Sequence, residues 1–403
     1  LMSRILIISP GSPSRNPRPL KEADTLGRAG HDVTLLTLSE SPECAVIDRD
    51  LVKNAPFRHE AVGATTGQLK QFLQRAQQRV AVKATSAGFP TLHALGSSGP
   101  LRQRAREFAA DLTIVHNEIP FWIGCDLLDL GRRVAADFED WYSEDLLPAA
   151  RRGRPLKPLR EIEHQLLRDA AYVSTTSAAL STALAARFNS PAPHVLTNSF
   201  PLQSNPRSGA SGSPPTFFWF SQTLGPGRGL EFFCDAWIRT KAPSRLVLVG
   251  EPTEAFDRTL LGRLPAAFAS RVTIKPLVQP NELPQLIAQH DIGLALEQSW
   301  IVNRDLTITN KILQYLNAGL AVVATPTAGQ REVAAKASGT VSFIQPESLD
   351  ATAGMLDELI SNPTQLAAAQ RSARLAAETT YCWEREAPRL VQLVAQALNT
   401  RAR

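Results

Sequence analysis

Residues 307–325 read Thr307-Ile308-Thr309-Asn310-Lys311-Ile312-Leu313-Gln314-Tyr315-Leu316-Asn317-Ala318-Gly319-Leu320-Ala321-Val322-Val323-Ala324-Thr325. Polar turn residues lead into a helical pattern over 310–318. Gly319 supplies the stop, because glycine accepts the left-handed backbone that closes a helix. A continuous apolar run follows at once, which is the mark of a strand covered on both faces. The stretch therefore reads as loop, helix, cap and buried parallel strand.

The same unit recurs outward from it in both directions. Strand-like runs lie at 4–8, 32–36, 111–115, 133–136, 172–175 and 194–196. They resume at 217–220, 245–249, 272–274, 292–296, 320–324 and 340–343. Helical patterns separate them, among them 19–30, closed by Gly30, and 281–289. Strands alternating with helices predict an α/β protein with parallel sheets. The alternation pauses at 201–216, where Pro, Ser and Gly dominate, and this reads as an interdomain linker. The final stretch, 363–398, reads as helical without a strand. Two such halves imply a cleft, with ligands at the C-terminal ends of strands.

Size and composition agree. The chain has 403 residues, 43% hydrophobic and 20% charged, which suits two globular domains and excludes large-scale disorder. No run reaches the roughly 18 apolar residues of a membrane span. The opening apolar run is too short for a signal peptide and reads as a first strand. Cys44, Cys125, Cys234 and Cys382 are far apart, which argues against a thiolate metal site or a disulfide framework and for a reducing, cytoplasmic compartment. A net charge of +5 is mild, and no nucleic-acid motif is present. Arg151, Arg152, Arg154, Lys157 and Arg160 form the one dense basic cluster. It is either a solvated loop or a contact for anionic lipid at the inner membrane face; no amphipathic anchor helix is read beside it.

Three segments carry candidate chemistry. Phe220-Ser221-Gln222-Thr223-Leu224-Gly225-Pro226-Gly227-Arg228-Gly229-Leu230-Glu231 joins a strand to a helix. A glycine-rich turn at a helix N-terminus presents N–H groups to a phosphate, and Arg228 adds a planar cation. Residues 307–325 place Lys311 in the first turn of a helix. Asp111-Leu112-Thr113-Ile114-Val115-His116 ends a strand on a histidine, and Ala136-Asp137-Phe138-Glu139-Asp140-Trp141-Tyr142-Ser143-Glu144 follows a second strand.

In their order and spacing these segments resemble the glycosyltransferases of GT-B fold, especially retaining family 4 (glycosyl transferases group 1). Asn16-Pro17-Arg18 through Gly30-His31-Asp32 is similar to their N-terminal half, and Val272 through Gly293 and Gly329-Gln330-Arg331-Glu332-Val333 to their C-terminal half. The resemblance implies two Rossmann-like domains facing across a cleft. They would span 1–200 and 217–375, with a C-terminal helix, 376–403, crossing back to the first domain. It implies a sugar moved from a nucleotide-sugar donor (UDP or GDP) to a saccharide, lipid-linked or small-molecule acceptor with retention, and no bound metal or other cofactor.

Residue by residue, the resemblance assigns Arg228 and Lys311 to the donor diphosphate, with Gly225, Gly227 and the N–H groups of Thr309 and Asn310. Gln314 would meet the ribose, Val278 the base, and His116 and Glu139 the sugar or acceptor. Gly11, Ser12 and Glu332 complete the substrate-binding set. Trp383 would anchor the last helix by packing. The sequence departs from the family at Thr223 and Gln314, where a cation and a carboxylate are usual, at Leu306, where the first Glu of a paired motif is usual, and at Glu139, where a His is usual. These departures keep open a catalytically degenerate partner subunit. The spacing Gly225-x-Gly227-x-Gly229 keeps open a nucleotide-dependent oxidoreductase or epimerase. Against that stands the lack of an acid at a convincing ribose-binding distance.

Overall fold

The structure is a computed structural model that describes residues 2–39, 42–63, 68–146, 151–206 and 214–399. The chain forms two compact units, Leu1–Leu196 with Ala387–Arg403, and Thr197–Glu386.

The first unit is built on seven parallel strands: β1 (Arg4–Ser9), β2 (Asp32–Leu38), β3 (Arg58–Val62), β4 (Leu112–His116), β5 (Val134–Phe138), β6 (Val173–Thr175) and β7 (His194–Val195). Their order across the sheet is β3-β2-β1-β4-β5-β6-β7. Ile5 to Ile8 are buried, as a strand covered on both faces requires. The first helix, Pro17–Arg28, starts two residues earlier than the sequence pattern indicates. Pro17 suits a first turn, where no N–H is needed, and the Asn16 side chain caps the Arg18 N–H.

The second unit holds six parallel strands: β8 (Thr216–Leu224), β9 (Arg245–Pro252), β10 (Val272–Lys275), β11 (Ile292–Ala295), β12 (Ala321–Ala324) and β13 (Val341–Phe343). Their order is β10-β9-β8-β11-β12-β13. Phe217 and Trp219 enter one core cluster and Phe218 the other, so β8 fills both faces of its sheet. The helix Asn310–Ala318 has the bounds expected from the sequence. It lies close on β11, since a Cβ on Gly293 would overlap the Tyr315 ring. The Tyr315 hydroxyl donates to the carbonyl of Leu294 at 3.2 Å.

Further features differ from the sequence reading. β3 was not expected, because Arg58-His59-Glu60-Ala61-Val62 is too polar to look like a strand; it sits at the sheet edge, where polar residues are tolerated. The 281–289 helix shortens to Leu283–Ile287. The last stretch is two helices, Pro363–Thr379 and Trp383–Asn399. Between them Cys382 bridges to Phe200, and Trp383 donates its N–H to the Phe200 carbonyl. Trp383 is buried, and Ala387 onward belongs to the first unit. Of the expected linker, 207–213 lies outside the described residues. Its start is tied down: Gln203 N–H donates to Asn317 Oδ1 at 2.9 Å, and Asn317 donates to the Pro201 carbonyl at 2.8 Å. Residues 400–403 of the expected last helix also lie outside the described residues. Among the described residues no helix is long and apolar enough to cross a membrane.

Candidate functional site

Each sheet has one place where neighbouring strands are followed by connections running opposite ways, and open α/β sheets bind ligands there. In the second unit it lies between β8 and β11. β8 runs to Leu224 and delivers the turn at Gly225–Gly229, which opens the helix Leu230–Trp237. Gly229 is left-handed, with φ +83°. A Cβ there would overlap the Leu296 carbonyl and lie 2.7 Å from Gln298 Nε2. Only glycine therefore lets the turn rest on the end of β11. Glu231 reaches back from the first helical turn and accepts the Gly227 N–H at 2.7 Å.

Glu297, just past β11, is the centre of the charge arrangement. Lys311 Nζ donates to it at 2.9 Å, with both side chains only 14% exposed. Burial works against the Glu297 charge. Lys311 outweighs that by its charge and its hydrogen bond, with Arg304 and Arg228 adding to it, so the carboxyl is held below its usual range. Of the residues the sequence singled out, Lys311 is thus paired with this carboxylate, and Arg228 adds to its field without an ion pair to it among the described residues. Thr309 caps the helix of Lys311, its hydroxyl accepting the Ile312 N–H at 3.5 Å. Asn310 accepts from Asn198 at 3.0 Å. Gln314 stands one turn on, and its Oε1 is buried with no hydrogen-bond partner among the described residues. Val278 packs partly buried on the core, and Glu332 pairs with Lys336 at 3.0 Å. Glu297 was missed in the sequence reading; an acid closing an apolar strand was the signal available.

The corresponding place in the first unit lies between β1 and β4. It is closed by its own charges. His116 has no exposed side-chain surface; Nε2 lies 3.1 Å from Glu22 and Nδ1 3.2 Å from Glu139 and 3.3 Å from Asp137. Arg18, also fully buried, bridges to Asp137 through Nε and donates Nη2 to it at 2.8 Å and Nη1 to the Leu196 carbonyl at 2.8 Å. Ser174 donates to Asp137 at 2.6 Å. Burial alone would push His116 down. Glu22 by its charge, then hydrogen bonds to Asp137, Glu139 and Glu22, raise it well above the ordinary value. For Asp137 burial is outweighed by Arg18 and then His116, which hold it far below the carboxylate range. Lys21 is pushed down to about 7 by burial and then by Arg18, against the pull of Glu139, Glu22 and Asp137.

The expectation that His116 meets a sugar directly is therefore corrected. A wholly enclosed imidazole bonded at both nitrogens orders its neighbours, and Glu139, 14% exposed, is the part of this network nearest solvent. Ser12 also turns inward: its hydroxyl donates to Asp48 at 2.6 and 2.7 Å, so it holds the turn beside Gly11.

Family comparison decides the class. Residues 17–199 match the family described as Glycosyl transferase 4-like domain, and residues 214–362 match Glycosyl transferases group 1. The chain belongs to the group 1 glycosyltransferases of GT-B fold. No curated protein sequence matches it significantly. Solved structures share the fold of this glycosyltransferase at low identity. A sucrose-phosphate synthase from Thermosynechococcus elongatus is 15% identical with a TM-score of 0.74, over 98% of each chain. Anabaena HepE in complex with UDP-glucose is 16% identical with a TM-score of 0.70, over 98% of this chain and 99% of that one. S. aureus TarM in complex with Fondaparinux, alpha-GlcNAc-glycerol and UDP is 8% identical with a TM-score of 0.69, over 99% and 100%.

Membership also removes the oxidoreductase reading. β9 does end on an exposed acid, Glu251, at about the spacing of a ribose-binding acid. Glu22, His116 and Asp137 of this glycosyltransferase lie close enough together to hold a metal ion. The Arg18 guanidinium already supplies a cation to Asp137 there, so the residues present do not fit a metal.

Proposed function

We propose that this glycosyltransferase takes a nucleoside diphosphate sugar, with a UDP or GDP moiety, in the second unit and transfers the sugar to a saccharide or lipid-linked acceptor with retention. One observation carries the reading: Lys311 pairs with the half-buried Glu297, whose charge Arg228 of the glycine turn also favours, one helical turn from the Gln314 oxygen that has no partner among the described residues. A diphosphate would draw Lys311 and Arg228 as charge-assisted donors, and a ribose hydroxyl would donate to Gln314. UDP-glucose in HepE and UDP in TarM support a nucleotide-sugar donor.

The chemistry asks mainly for positioning and for stabilising the charge of the departing diphosphate. Lys311 and Arg228 do the second. Retention follows if the departing diphosphate accepts the acceptor proton on the face the sugar occupied. No metal is invoked, since Lys311 and Arg228 would supply positive charge to the diphosphate.

A thermal-shift panel of nucleoside diphosphates and their sugars tests this, because a specific binder stabilises the fold by mass action. One base should stand out, and the proton spectrum of the product should show the donor's anomeric configuration. No shift with any of them would overturn the reading. A second reading, a subunit that binds without turnover, draws on Thr223, on Gln314 and on the Gly227 N–H already taken by Glu231. Binding without transfer or donor hydrolysis would favour it.

A further inference from the structure

The helix Gln68–Ser86 of the first unit has an outer face of unusual composition. Phe72, Leu73 and Val80 are 63%, 56% and 67% exposed, and Phe89, just past its end, is 75% exposed. At about 100° per residue, positions 72, 76, 79 and 83 lie opposite the buried Ala81, with Arg75 on one flank of that stripe and Leu73 and Val80 on the other. Arg75, Arg79 and Lys83 step along the same side at four-residue intervals, all exposed. None of the three has an ion pair among the described residues, and the helix sequence contains no Asp or Glu. The Phe89 N–H donates to the Ala84 carbonyl at 2.9 Å, which fixes the chain that carries the fourth apolar side chain.

The basic cluster at 151–160 bears on this face, though not as the sequence suggested. Arg151 and Arg160 pair with Glu144 at 3.0 and 2.8 Å, and Arg154 pairs with Glu118. Only Arg152 and Lys157 of the five are exposed. Gly153 touches the helix: a Cβ there would lie 2.9 Å from Val82 and 3.1 Å from Ser86. Arg152 therefore extends the cationic face of 68–86, and an apolar-cationic helix does accompany the cluster.

Apolar side chains interleaved with unpaired cations match the boundary between headgroups and acyl chains. Rings and aliphatic groups enter it while long cationic side chains reach phosphates. A second copy is a poorer occupant, since a two-fold contact would set like charges against each other. We propose that the outer face of helix 68–86 docks on an anionic lipid bilayer, with Phe72, Leu73 and Val80 inserting and Arg75, Arg79 and Lys83 meeting lipid phosphates. This rests on the helix surface alone and is independent of the donor assignment.

The test is co-sedimentation of the full chain with phosphatidylcholine vesicles, with and without phosphatidylglycerol, at low salt and at about 0.5 M salt, where screening shortens to a few Å. The chain should pellet with anionic vesicles at low salt and be released at high salt. Replacing the three cations (Arg75→Gln, Arg79→Gln, Lys83→Gln) should lower partitioning on the order of 100-fold, from about fivefold per charge near the surface. Phe72→Ser with Val80→Ser should lower it as well, and Arg152→Gln with Lys157→Gln less than the triple variant. Unchanged thermal unfolding of each variant confirms an intact fold. Recovery in the supernatant throughout, equal pelleting with neutral lipid, or a triple variant that pellets like the parent would each overturn the proposal. So would a dimer in light scattering that Phe72→Ser dissolves, which would give the face to a second copy.

Discussion

The two switch-point regions use the same materials to opposite ends. Between β1 and β4, Arg18, Lys21 and His116 face Glu22, Asp137 and Glu139, and the group is shut off from water apart from Glu139 and a small part of Lys21. Between β8 and β11, Lys311 and Glu297 keep 14% of their side-chain surface, and the Gln314 Oε1 has no hydrogen-bond partner among the described residues. Charges that satisfy one another in a dry interior hold structure. Charges left partly wet, beside an unmet acceptor, are the ones the proposed donor site draws on. Position at a switch point alone did not separate these roles; burial and pairing did.

The largest effect should come from breaking the sealed cluster. Arg18→Met leaves Asp137 buried without its main partner, and such removals cost about 3–5 kcal/mol. Urea unfolding followed by a probe in the first unit measures it; a loss under about 1 kcal/mol would show that the cluster is open to water. The cluster also carries a pH signature. The folded value of His116 is raised, so its stabilisation is complete below its ordinary value of 6.5 and fades as pH rises through the folded value. The gap in stability between the parent and His116→Gln should therefore be widest at acidic pH and narrow on the alkaline side. A constant gap would mean that His116 is not charged in the folded state.

Effects in the open region should be smaller and should fall on binding. Arg228→Ala should weaken nucleoside diphosphate affinity by about 1.5–3 kcal/mol, the range of a hydrogen bond to a charged group. Calorimetric titration reads this, and unchanged affinity with the fold intact would take Arg228 out of the site. The smallest change is expected from Gln314→Glu, which should leave binding within about 1 kcal/mol of the parent or improve it, since a carboxylate accepts a ribose hydroxyl with charge assistance. A large loss would mean that the new charge is buried without a donor.

Much of this was legible in advance, for identifiable reasons. Among the described residues, twelve of the thirteen strands coincide with runs read from the sequence, the central ones because a strand covered on both faces must be apolar throughout. β3 escaped because an edge strand can be polar. The Lys311 helix was legible at both ends, since Thr309 and Gly319 are strong start and stop residues. The glycine turn was legible as a tight strand-to-helix connection, but not Glu297, the acid that pairs with Lys311.

What the sequence determined by itself was local and periodic: where chain segments alternate, cap and turn, and hence the α/β class and the family. What only the tertiary structure decided was which charges meet. Arg18 and Asp137 are 119 residues apart in the chain, and their pairing exists only because β5 lies near the helix after β1. Glu297 became the centre of the open region because Gly229 lets a distant turn settle on β11. Helix 68–86 became a candidate lipid surface because folding left Phe72, Leu73 and Val80 facing outward. Periodicity along a chain encodes its own neighbours, whereas burial and pairing depend on elements that only the fold brings together.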